Sequence, residues 1–143
     1  MALLLEARKR VRDALELARV LAESSHMGFK HGAVLFRRGS VVGMGANGRR
    51  PAAWAMRMPG VPAPPGREGA KREAGMHAEI ACMNRIRAED IRGSDVAVAR
   101  VLANGELAFS KPCENCERVM ISKGVRRCYF SINEEEYGEL RFP

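Results

Sequence analysis

Five prolines fall at positions 51, 59, 62, 64 and 65 of this 143-residue chain, with several glycines among them. No helix or strand runs through that density of breakers, so residues 50–75 read as a long loop. Long loops inside compact domains tend to be lids or binding elements. The length suits one domain spanning residues 1–143, with the loop inserted between two structured halves. A 46% apolar and 29% charged composition can build a core rather than stay disordered.

The first half opens with Ala7, Val11, Ala14, Leu15, Ala18, Leu21 and Ala22 at helical spacing, an amphipathic helix. Ala33–Phe36 and Val41–Met44 flank Arg37-Arg38-Gly39-Ser40 and predict a β-hairpin. After the loop, Met76 to Arg87 returns to helix with Ile80, Met83 and Ile86 on its buried side, and Asp95–Leu102 alternates as a valine-rich strand. Pro112 stands at a first helical position and opens a helix over Cys113–Ser122, which Lys123-Gly124 ends. Arg127–Ile132 is a strand that Asn133–Glu136 can turn back into Tyr137–Phe142. The expected fold is an α/β, three-layer α/β/α sandwich around a five-stranded mixed sheet that finishes in an antiparallel hairpin.

The apolar run Ala2–Leu5 is cut by Glu6 and a basic cluster, too short for a signal peptide, and nothing approaches the ~20 apolar residues of a membrane helix. A soluble, cytoplasmic protein with no membrane partner is the expectation. Four cysteines, unevenly spaced, suggest metal before disulfides.

His77, Cys113 and Cys116 offer one imidazole and two thiolates. That is a catalytic zinc set, leaving the fourth tetrahedral position for water, whereas a structural site wants a fourth protein ligand. Cys113 and Cys116 lie three apart in a first helical turn and can share a face. His77 and Glu79 would be about 200° apart on an ideal helix, so they serve one site only if His77 sits at the N-terminus, where the backbone is still turning. Two helix N-termini would then converge on the ion and favour thiolate.

His77-x-Glu79 followed by Pro112-Cys113-x-x-Cys116 resembles the zinc-dependent cytidine and deoxycytidylate deaminase superfamily, whose signature is H-x-E…P-C-x-x-C. The resemblance implies Zn²⁺ held by His77, Cys113 and Cys116, with Glu79 as the catalytic proton carrier. It implies substrate contacts at Asn47, at the backbone N–H of Ala78 and at Ser110. Free-cytidine deaminases place Glu where this chain has Arg49, which suits phosphate. Gly48-Arg49-Arg50-Pro51 is closer to the deoxycytidylate branch, while the C-terminal hairpin resembles the cytidine-deaminase and toxin-like branches. The family commonly assembles, which makes a homo-oligomer possible, although the sequence itself does not set an oligomeric state.

Twenty-four Lys and Arg against 17 Asp and Glu give a net charge of +7, and Arg49, Arg50, Arg57, Arg67, Lys71 and Arg72 lie in or beside the loop. Those residues point to phosphate or nucleic-acid contact, and Trp54 can stack a base or anchor the loop. Hydrolytic deamination of cytosine is therefore expected in a nucleotide of the dCMP or CMP type, or in single-stranded DNA or RNA. The alternatives are a tRNA-type adenosine deaminase and a non-catalytic, zinc-stabilised nucleic-acid-binding protein. His26 and His31 read as loop residues, Cys82 and Cys128 as small buried hydrophobes. Gly43-x-Gly45-x-x-Gly48 matches a dinucleotide fingerprint in form only, since no βαβ unit surrounds it.

Overall fold

The computed structural model describes residues 9–48 and 76–143, together with the backbone of residues 2–4. In chain order the elements are β1 (Ala2–Leu4), α1 (Lys9–Glu23), β2 (Lys30–Arg37), β3 (Ser40–Ala46), α2 (Ala78–Ala81), α3 (Ala88–Ile91), β4 (Asp95–Val101), β5 (Leu107–Ala108), α4 (Glu114–Lys123), β6 (Arg127–Ser131) and β7 (Glu136–Arg141). The sheet order is β1-β7-β6-β4-β2-β3, with β5 paired to β4. Among the described strands only β4 and β6 are parallel, joined through α4, and the other pairings are antiparallel.

Ala33–Phe36 and Val96–Ala99 are continuous apolar runs because β2 and β4 are central and covered on both faces. On one face Val34, Phe36, Ala97, Ala99 and Tyr129 pack against Val11, Leu15 and Ala18 of α1. On the other, Ala33, Leu35, Val96, Val98 and Phe130 pack against Ile80 of α2 and Val119 and Met120 of α4. These two cores make the expected α/β/α sandwich, and β6 and β7 form the expected closing hairpin.

Two expectations are corrected. The sheet has seven strands rather than five, because the three-residue β1 pairs with β7 and the two-residue β5 with β4. The helix expected over 76–87 spans only Ala78–Ala81. Beyond it Met83 N–H donates to the Ile80 carbonyl and Asn84 N–H to that of Ala81, a tightened three-residue spacing. Arg85 then turns left-handed at φ 65°, a conformation no helix continues. Met83 is nonetheless buried and Ile86 packs against the same core, since turns can supply the contacts that helical spacing suggested.

Candidate active site

The ends of the two parallel strands open toward a cavity of about 370 Å³, within the range of small-molecule sites. His77 is the N-cap of α2 in extended conformation (φ −70°, ψ 150°), so its side chain and that of Glu79 are not bound to helical spacing. Cys113 is likewise the N-cap of α4 (φ −70°, ψ 164°), which brings Cys116 to the first turn of that helix on the inner side. Gly124, left-handed at φ 83°, closes α4 where the sequence anticipates its end.

The ring Nδ1 of His77 lies 3.1 Å from Cys116 Sγ and 3.6 Å from Cys113 Sγ. All three donor atoms fall within 4.8 Å of one another. A tetrahedral zinc with ordinary bond lengths separates N from S by roughly 3.6 Å and S from S by roughly 3.8 Å. The donor set and its spacing therefore fit that ion. The Cys116 thiol hydrogen-bonds to Cys113 and holds the Cys113 thiolate down to about 4, with His77 adding to the effect. Thiolate is the form in which a cysteine binds a metal.

Glu79 is 4% exposed and, among the described residues, is the single carboxylate lining the cavity. Burial holds its carboxyl above the ordinary carboxylate range, while the neighbouring His77 pulls the other way. Ala78 N–H occupies the first position of α2, where an amide has no partner within the helix. Ser110 is buried beneath the cavity. Its hydroxyl bonds with Ser131 Oγ at 2.8 Å and donates to the Val98 carbonyl at 3.0 Å, so the β4–β6 seam fixes it.

Asn47 lines the cavity, yet its amide is already engaged. Oδ1 accepts from Ser25 Oγ at 2.6 Å and from His31 N–H at 3.0 Å, and Nδ2 donates to the Phe29 carbonyl at 2.6 Å. Both oxygen lone pairs are used, and among the described residues one amide hydrogen has no partner. Asn47 thus ties down segment 25–31, the connection from α1 to β2. Arg49, Trp54 and the other basic loop residues, with the rest of 49–75, lie outside the described residues.

The cavity residues that escaped sequence reasoning include Phe29, His31, Lys111 and Met76. His31, expected to be an ordinary loop histidine, is the second residue of β2 and lines the cavity. Burial, and after it the charge of the adjacent Arg100 guanidinium, lower its pKa. The available signal was parity, because His31, Ala33 and Leu35 alternate onto the face that carries Cys116. His26 lies off this cavity, and Cys82 and Cys128 are buried as expected.

The family described as "Cytidine and deoxycytidylate deaminase zinc-binding region" matches residues 7–132. Among solved structures, apo dCMP deaminase from cyanophage S-TIM5 aligns at 21% identity and TM-score 0.55, covering 84% of this chain and 80% of its own. The same enzyme with dCMP and dUMP aligns at 18% identity and TM-score 0.50, covering 86% and 82%. At these identities the likeness is one of fold. No curated protein matches the chain at the level of sequence.

Proposed function

Because the chain belongs to the cytidine and deoxycytidylate deaminase family, and is thereby a zinc-dependent hydrolytic deaminase, we propose that it converts cytosine to uracil in a phosphate-bearing substrate. The observation that carries this reading is the buried Glu79 carboxyl beside the His77, Cys113 and Cys116 donor set at one cavity wall. In this reading those three residues hold zinc. When bound, the ion supplies Lewis-acid activation of water at neutral pH.

The protein's own groups do the rest. Glu79, as carboxylate, takes a proton from the water that adds to C4 of the ring and delivers it to N3. A second proton from the adduct passes through the same carboxyl to the exocyclic nitrogen, the C4–N bond breaks and ammonia leaves. A carboxyl that holds and releases a proton within one turnover benefits from a pKa raised toward neutrality, and burial acts in that direction. Ala78 N–H holds the base carbonyl, and the Ser110 backbone borders the leaving group. Lys111 is the one Lys or Arg on the cavity wall among the described residues, and no carboxylate but Glu79 opposes a substrate phosphate there.

The cyanophage enzyme of similar fold is seen with dCMP and dUMP, which puts a nucleotide first among the substrates to be tried. The test is a mass-spectrometric screen of dCMP, CMP, cytidine, an adenine-containing RNA and a short cytosine-containing single strand. Zinc-loaded wild type is compared with Glu79→Gln. Conversion of a phosphate-bearing cytosine by wild type alone supports the reading. Turnover by zinc-loaded Glu79→Gln, or hypoxanthine as the product, overturns it.

A further inference from the structure

Arg100 is an unexpected residue where it stands. It is the next-to-last residue of β4, a central strand that is otherwise apolar after Asp95, and it shares the face of Val96 and Val98. A cation at such a position loses hydration and needs a partner in exchange. Among the described residues no carboxylate reaches Arg100, and its Nε is buried without a hydrogen-bond acceptor.

The partner it has is an aromatic ring. The guanidinium carbon lies 5.1 Å from the centroid of Phe29, within cation–π range. Strand pairing sets this up, because His31 stands directly across from Arg100 and Phe29 immediately precedes β2. Both backbones are fixed: Arg100 N–H donates to Ser131 Oγ at 3.2 Å, and the Phe29 carbonyl accepts from Asn47 Nδ2 at 2.6 Å. Phe29 lines the active-site cavity and Arg100 does not, so the ring stands between the cation and the cavity. At 67% exposure the ring is weakly held by packing. The guanidinium against it supplies the missing restraint.

We propose that Arg100 is a positioning residue of the active site, whose guanidinium holds the Phe29 ring as a preset platform for the planar base of the substrate. The role rests on the deaminase reading above, which puts a pyrimidine in this cavity. A ring already fixed in its bound orientation receives a flat base without the cost of immobilising a side chain. Arg100 touches none of the reacting atoms in this arrangement, so its effect belongs to binding and not to proton transfer. Direct contact between Arg100 and a substrate phosphate fits less well. The Phe29 ring covers the guanidinium on the cavity side, whereas the exposed Lys111 stands on the wall itself.

The test is calorimetric titration of the zinc-loaded full chain with dUMP and with deoxyuridine, beside steady-state kinetics on dCMP. Wild type is compared with Arg100→Met, Arg100→Lys, Phe29→Leu and the double variant Arg100→Met, Phe29→Leu, and Arg100→Gln replaces Arg100→Met if that protein does not fold. Arg100→Met weakens both ligands by about fivefold or more and raises KM for dCMP in step, with kcat within about twofold of wild type and zinc content unchanged. Arg100→Lys, which keeps a cation over the ring, recovers most of the loss. The double variant binds no more weakly than Phe29→Leu alone, because Arg100 acts through Phe29. The proposal is overturned if Arg100→Met stays within twofold of wild type, if the two losses multiply in the double variant, or if wild type shows no saturable dUMP binding. It is also overturned if dUMP binding falls while deoxyuridine binding does not, which makes Arg100 a phosphate contact. Conversion of dCMP with KM unchanged in Arg100→Met removes this role alone. An Arg100 effect on dUMP affinity without any uracil formed from dCMP overturns the reaction and leaves the platform standing.

Discussion

Asn47→Ala separates two roles that one side chain can have, substrate contact and internal tie. The substitution removes three hydrogen bonds: from Ser25 Oγ and His31 N–H to Oδ1, and from Nδ2 to the Phe29 carbonyl. Each contributes about 0.5–1.5 kcal/mol net. Ser25 Oγ keeps a fallback acceptor in the Asn47 backbone carbonyl at 3.2 Å, and the bond to Phe29 is exposed, so both belong at the low end. The sum is about 2 kcal/mol. With an unfolding entropy near 2.1 cal/mol/K per residue, this lowers the melting temperature by roughly 7 °C. The freed segment carries Met27, Gly28, Phe29 and His31 of the cavity wall. If the whole 2 kcal/mol were expressed in substrate binding, KM would rise about thirtyfold, an upper limit. Asn47→Asp keeps the acceptor for Ser25 and His31 but turns a second oxygen toward the Phe29 carbonyl, so it recovers only part of the loss. Thermal melting and steady-state kinetics are run on all three proteins. A large KM increase in Asn47→Ala with an unchanged melting temperature refutes the tie and leaves a pure substrate contact.

Chelation should strip the metal and lower the melting temperature. At free zinc a hundredfold above its dissociation constant the bound ion stabilises by about 2.7 kcal/mol, so the fall is roughly 9 °C, reversible on adding zinc. Cys116→Ser should lose that zinc-dependent increment and most of the bound metal, and a zinc content equal to wild type would remove Cys116 from the ligand set. Gly45→Ala brings a Cβ to 2.6 Å from Ala81 Cβ and 2.8 Å from Cys82 N, both within or next to α2. Overpacking of this kind costs about 1–3 kcal/mol, and denaturant titration together with zinc content should show loss of both stability and metal affinity.

Elements with a long local pattern were legible: α1 from its 3.6-residue spacing, β2 and β4 from their apolar runs, α4 from Pro112 and Gly124. Strands β1 and β5, three and two residues long, have no pattern of their own and exist through their partners. The length of α2 was misread because Ile80, Met83 and Ile86 have the same spacing in a helix as in consecutive tight turns. In the candidate site, two thiolates three residues apart and a histidine two before a glutamate are unusual enough to be seen without a structure. Phe29, His31 and Lys111 are ordinary residues in sequence. They meet the site because α1 delivers its following segment to the same end of the sheet at which β4 finishes.

The glycines of Gly43-x-Gly45 show how a nucleotide-binding pattern can be a packing device. At Gly43 a Cβ would collide with the Cys82 carbonyl and approach Ile86 to 3.1 Å, and at Gly45 it would meet Ala81 and Cys82. Both positions lie on the β3 face over which α2 passes, and both let the backbone of one element settle against that of the other. A four-residue helix has almost no stability of its own, since nucleation consumes what so few hydrogen bonds return. The position of α2 is therefore set by what it rests on. His77 and Glu79 flank Ala78, which is fully buried, so the seat that the glycines leave for Ala81 and Cys82 is also what holds the imidazole and the carboxyl at the cavity wall. Methyl groups at 43 and 45 would act on zinc affinity and proton transfer together, through a displacement of α2, although neither residue lines the cavity.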